Sequence, residues 1–132
     1  MKIKKSYITI GIVLLLILIG WIFVRFVVGG SEDNWIKDEK GIYVKHGNPQ
    51  ETPGYVLWQK AAIACASDKF ANFTEEKNSQ CLGICGNYAV DIVHVPRTEE
   101  DNLVENQCED YGKGIVNHFI ELDKNGGIVR VV

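Results

Sequence analysis

Tyr7-Ile-Thr-Ile-Gly-Ile-Val-Leu-Leu-Leu-Ile-Leu-Ile-Gly-Trp-Ile-Phe-Val24 is an unbroken run without a charge or a proline, and its reading sets the architecture of everything that follows. At about 1.5 Å of rise per residue, a helix from Tyr7 to Val28 reaches roughly 33 Å, enough to cross a hydrocarbon core of about 30 Å. Lys2, Lys4 and Lys5 precede it, whereas Arg25 is the one basic residue at its far end, ahead of Glu32 and Asp33. The positive-inside rule then predicts a cytoplasmic tail over 1–6, a transmembrane helix over 7–28, a polar tether over 29–34 and an extracytoplasmic domain over 35–132. The rival is a cleaved secretory signal, with Val28-Gly29-Gly30 offering small residues to a peptidase. Signal cores run about 7–15 residues, shorter than this one, and Trp21 and Arg25 suit a membrane interface. An uncleaved anchor is the expectation, and either reading leaves the domain outside.

Residues 31–132 make one domain's worth of chain, able to bury a modest core and helped by covalent staples. All four cysteines, Cys65, Cys81, Cys85 and Cys108, lie in this part. An even count in a small exported domain predicts two disulfides. Short reach favours Cys65–Cys81 with Cys85–Cys108. Cys65–Cys85 with Cys81–Cys108 stands close behind, and a Cys81–Cys85 ring comes last. Residues 1–30 carry four basic groups and no acid, while residues 31–132 carry ten Lys or Arg against 17 Asp or Glu. So acidic a domain repels nucleic acid and gains nothing at an anionic lipid surface.

Two β-rich runs, Trp35-Ile-Lys37 and Ile42-Tyr-Val-Lys45, flank Asp38-Glu-Lys-Gly41 and predict a hairpin. Thr52-Pro53 reads as a helix start, with a capping hydroxyl and Pro at the first helical position. The alanine-rich run Tyr55–Phe70 then places Trp58, Ala62 and Cys65 on one face, with Cys65 pointing inward. Asn72–Gln80 reads as polar loop, and Cys81–Gly86 as a glycine-punctuated turn. Tyr88-Ala-Val-Asp-Ile-Val-His-Val95 is apolar on both faces, as a central strand covered on two sides would be. Thr98-Glu-Glu-Asp101 has the form of a capping box ahead of a short helix ending at Gly112. Ile115–Leu122 and Ile128–Val132 flank Asp123-Lys-Asn-Gly-Gly127, a second hairpin. The expected fold class is therefore α+β: an antiparallel sheet of about five strands packed in two layers on one main helix, stapled by disulfides.

Chemistry-bearing residues are few. Cys81 and Cys85 are spaced like half a zinc site, but Cys65 and Cys108 are single and His46, His94 and His118 are widely scattered, so no metal and no cofactor is expected. A cysteine nucleophile at Cys85 with His118 superficially resembles papain-like or transglutaminase-like hydrolases. Those families put a long helix behind the cysteine, where this chain has a β-branched run, and Asp91 or Asp123 would have to orient the His. A disulfide at Cys85 would abolish the nucleophile. His118 alternates with Val116, Ile120 and Leu122, which predicts a buried His with Asp91 as its partner. The acids from Glu99 to Asp110 lack calcium-loop spacing and read as a solvated helix face.

Val44-Lys-His-Gly-Asn-Pro49, Asn78-Ser-Gln-Cys-Leu-Gly83, Tyr88–Arg97 and His118-Phe-Ile-Glu-Leu-Asp123 together resemble a group of small, membrane-anchored archaeal proteins. That resemblance implies an exported domain and brings no activity with it. The expectation is a single-pass membrane protein whose extracytoplasmic domain binds an envelope partner or ligand, or serves a structural role there. The alternative is a small extracytoplasmic cysteine hydrolase built on Cys85 and His118.

Overall fold

The computed structural model describes residues 5–28, 30, 32–74 and 79–132. Most of the expected cytoplasmic tail, Gly29 and Ser31 of the tether, and residues 75–78 of the expected loop lie outside them. The chain divides into two compact units, Met1–Trp35 with Lys45–Thr52, and Ile36–Val44 with Pro53–Val132.

In the first unit, helix α1 (Lys5–Phe23) continues through a wider π-type turn, Val24–Val28. Tyr7–Val28 is the one helix among the described residues long and apolar enough to cross a membrane, and a signal sequence would share those properties. A helix end leaves carbonyls without intrahelical partners. Here Asn48 Nδ2 donates to Phe26 O at 2.8 Å and Gln50 Nε2 donates to Val28 O, so the His46–Gln50 stretch closes the helix terminus. Arg25 Nη1 pairs with Asp33 Oδ2 at 2.9 Å, and the Gly30 N–H also donates to that carboxylate, at 2.6 Å. The Gly30 N–H bond, with the Arg25 charge, holds Asp33 below the usual carboxylate range. Trp35 is buried, and its indole N–H donates to Glu51 O at 2.9 Å.

The expected first hairpin forms from β1 (Asn34–Lys37) and β2 (Tyr43–His46), a two-stranded sheet of its own. Asp38 Oδ1 accepts from the N–H groups of Lys40 and Ile42, both at 2.9 Å, which is the local bonding that makes Asp a turn residue. The main sheet has four strands in the order β3 (Cys81–Cys85), β4 (Tyr88–Ile92), β5 (His118–Leu122) and β6 (Ile128–Val131). β3–β4 and β5–β6 are antiparallel hairpins, but β4 and β5 run parallel. The expectation of one antiparallel sheet of about five strands is thus corrected to a two-stranded and a mixed four-stranded sheet. The cause is the 93–117 connection, far longer than the roughly dozen residues a parallel crossover needs. Cys81–Gly86, expected as a turn, is mostly strand β3.

One face of the sheet packs on helix α2 (Gly54–Ala71), where Ala62, Ala66, Cys85, Tyr88, Val90, Ile120, Leu122 and Val131 form the main core. Small alanines let the helix lie close, as its composition predicts. Its start differs: Pro53 itself is the N-cap, with no side-chain capping bond, so Thr52 does not cap. Its buried stripe also differs. Val56, Gln59, Ala62 and Ala66 are buried while Trp58 is 73% exposed. Gln59 wins its place by bonding: Nε2 donates to Gly41 O at 2.9 Å, and Oε1 accepts from the Tyr43 N–H at 2.8 Å.

The other face is covered by the 93–117 connection, through Cys108 and Val116 packed on Ala89, Cys81, Ile84 and Phe119. The central strand is therefore covered on two sides, as its composition predicts. In place of the expected continuous helix, the connection holds single 3-10 turns at Glu100–Asn102 and Val104–Asn106 and a one-turn helix α3 (Glu109–Gly112). Asp101 is the reason. It is buried rather than solvated, and accepts hydrogen bonds from Gln80 Nε2 (2.6 Å), the Thr98 N–H (2.7 Å) and the His94 N–H (3.2 Å).

Candidate functional site

Of the hollows against the sheet, two lie on opposite faces. On the α2 side is a groove of about 480 Å³. Its walls are Tyr43 from β2, Tyr55 and Trp58 from α2, and Tyr88 and His118 from neighbouring strands, with Lys37 of β1 and Val132 also lining it. Tyr55, Trp58, Ala62 and Cys65 recur at helical spacing, so one stripe of α2 supplies both the aromatic wall and the small residues that give depth. Tyr43 and Tyr55 lie with ring centroids 4.8 Å apart, and Lys37 Nζ sits 5.3 Å from the Tyr43 centroid. Burial pushes the Tyr88 hydroxyl above the usual phenol range and nearby Tyr43 adds to it, so this phenol keeps its proton at neutral pH.

Two residues singled out from the sequence line this groove, and one does not. Cys85 is 2% exposed and disulfide-bonded to Cys65, with Cα atoms 5.8 Å apart. His118 stacks on Tyr88 with centroids 4.9 Å apart, and its Nδ1 lies 3.2 Å from Val132 O. It is exposed, not buried, because it is the first residue of β5, outside the cover of α2. Asp91 belongs to the opposite face. Tyr88 is in register with His118 and Asp91 with Glu121, so Asp91 and His118 differ by three strand positions and point to opposite sides. The expected His118–Asp91 contact does not form.

The second hollow, about 170 Å³, is polar and lies under the 93–117 connection. Glu121, buried, takes Arg97 Nη1 at 2.6 Å and Arg130 Nε at 3.1 Å. Beside it, Asp91 Oδ1 accepts from the Cys108 N–H at 3.1 Å. Burial pushes the Asp91 carboxyl up to about 6, and Glu121 adds to the rise. Asp101 goes the other way: burial works against its charge, but hydrogen bonds from Thr98, His94 and Gln80 outweigh this and hold it well below the carboxylate range. Cys81, Asp91 and Cys108 bring potential ligand atoms within 4.8 Å of one another. Cys81 and Cys108 are bonded to each other, and a disulfide sulfur has no thiolate to offer a metal.

The aromatic stripe of α2 is visible in the sequence as a face. That Lys37, Tyr43 and Tyr88 would join it depends on the hairpin lying over the helix, for which no local signal exists. No protein-family model, no curated protein and no solved structure matches this chain.

Proposed function

We propose that this is a single-pass membrane protein, N-terminus in the cytoplasm, whose extracytoplasmic domain binds a small ligand in the aromatic groove. The groove itself carries the reading. Soluble surfaces rarely leave large apolar side chains in contiguous patches, yet Trp58, Tyr55 and Leu57 are all exposed on α2, two of them on a concave wall. The hollow falls within the roughly 300–1,000 Å³ typical of small-molecule sites, with apolar walls and a few polar groups. The basic flank before the helix, the acidic domain after it and two disulfides support an oxidising, outer location.

Equilibrium dialysis of full-length protein in phosphatidylcholine nanodiscs against naphthalene-2-sulfonamide tests the groove. Saturable binding above that of empty discs, lost in Trp58→Ala and Tyr88→Ala, is expected. Binding unaffected by both substitutions would defeat the reading. Protease added to intact cells with any outer layer opened should cut the domain, and a shielded domain would overturn the orientation.

The hydrolase reading keeps one point in its favour, since Cys85 and His118 share the groove. It requires the Cys65–Cys85 bond to be open. Thiol labelling of unreduced protein decides it, and fast labelling of Cys85 alone would bring the enzyme forward.

A further inference from the structure

We propose that the outward face of α2 docks on the lipid interface of the membrane, with Leu57 and Trp58 seated among the headgroups. This rests on the membrane anchor proposed above and not on the groove, since Leu57 is 53% exposed without lining it. Leu57, Trp58, Ala61 and Ala64 are all exposed and recur at helical spacing, opposite the buried stripe of Val56, Gln59, Ala62 and Ala66. A helix that meets only water turns its charges to that side. From Gly54 to Ser67, α2 carries one charged residue, Lys60, and no acid, although residues 31–132 hold 17 acids. Its outer side is an apolar stripe in a charged domain.

The length of chain between this stripe and the anchor selects lipid as its cover. Asn48 and Gln50 bond the carbonyls of Phe26 and Val28, where the apolar helix ends. Four residues lead from Gln50 to Gly54 and three helical ones on to Leu57, a reach of at most about 19 Å even when the first part is fully extended. The headgroup layer beyond the hydrocarbon is itself about 5–8 Å deep, so the leash keeps the start of α2 within range of it. Trp is enriched in that layer, Leu buries beneath it, and Lys60 has a stem long enough to keep its ammonium in water. The contact is apolar, so the acidity of the domain does not oppose it at a zwitterionic surface. The 93–117 connection also exposes Val95, Val104 and Ile115, but Glu99, Glu100 and Glu105 stand among them and no short leash ties them to the helix end. A second copy of the chain fits less well, because four side chains fall far short of the roughly 20–30 residues a side that stable interfaces use.

Photolabelling tests the docking on full-length protein, one copy per phosphatidylcholine nanodisc, with a diazirine carried on the lipid acyl chain close to the glycerol. After irradiation, peptide mapping by mass spectrometry should find adducts on α1 and also on Leu57 and Trp58. Labelling of 54–67 should exceed that of 98–112 by roughly tenfold, as an apolar face held in the interface would give. Leu57→Ser combined with Trp58→Ser should bring 54–67 down to the level of 98–112, with α1 labelling and native disulfide pairing retained. Labelling confined to α1 overturns the docking and leaves the anchor standing. Absence of adducts from α1 as well defeats the anchor with it. Adducts at Tyr88 and His118 with Leu57 bare overturn the docking in favour of a lipid held in the groove. Loss of the Leu57 and Trp58 adducts when two copies share a disc overturns it in favour of a face that pairs with a second copy.

Discussion

Cys81 and Cys85 lie on one strand, four residues apart, yet their side chains enter opposite faces of the sheet. In a regular strand residues i and i+4 share a face. The register slips between Cys81 and Gly83, where the glycine takes φ +104°. Leu82 and Cys85 then face α2, while Cys81 and Ile84 face the 93–117 connection. This bulge sends one cysteine to Cys65 and the other to Cys108, each disulfide tying the sheet to a different cover.

Gly83→Val should therefore act on disulfide pairing. A β-branched residue resists that φ, and a Cβ there would also sit 3.2 Å from Lys69 Nζ. Straightening the strand turns Cys81 toward α2. Peptide mapping of unreduced protein should show free thiol at Cys108 or scrambled pairs. Native pairing with an unchanged melting temperature would refute the role given to the bulge.

Gln59→Leu should cost about 2–4 kcal/mol, because it leaves the Gly41 carbonyl and the Tyr43 N–H without their partner inside the fold. The loss should be local first. Amide exchange at Tyr43 should quicken well before exchange at Ile120 in the main core, and equal slowing or quickening at both sites would argue against a latch.

Stability should depend on pH through Asp91. Its folded pKa of about 6 lies above the ordinary carboxylate value of 3.8, so the native state holds this proton more tightly than the unfolded chain. Stability from this group is full below about pH 4 and is lost as pH rises through 6, by roughly 3 kcal/mol at most. Asp101 has the opposite sign, with stability present above the ordinary carboxylate pKa and lost in stronger acid. Melting temperature should peak in mildly acidic buffer. Asp91→Asn should raise it at pH 7.5 and flatten the slope between pH 4 and 7. A slope that survives the substitution would assign it to another group.

Arg97→Ala should destabilise more than Arg130→Ala. Both guanidinium groups bond the buried Glu121, but Arg97 also donates to Asn102 Oδ1 (3.0 Å) and Asp101 O (3.1 Å), stitching the 93–117 connection to the sheet. Both arginines are partly exposed, so losses of about 1–3 kcal/mol are expected, below those of fully buried pairs. Urea titration of the two variants measures the difference, and a larger loss in Arg130→Ala would reverse the assignment.

Local chemistry was readable from the chain itself. The apolar run needs nothing beyond its own length to be a helix fit to span a membrane. Asp38–Gly41 and Asp123–Gly127 turn because an Asp side chain bonds the backbone a few residues on and glycine frees the dihedral angles. The doubly apolar strand at Tyr88 and the even cysteine count needed no distant partner to be recognised. Tertiary structure alone decided which cysteine meets which, that β5 lies parallel to β4, and that Gln59, Asp101 and Glu121 are buried while Trp58 stays out. Each of those outcomes turns on groups far apart in sequence, the Gly41 carbonyl for Gln59 and Arg97 with Arg130 for Glu121. Periodicity assigns a residue to a face by its own polarity, and a polar side chain is buried only when the rest of the fold brings it a partner.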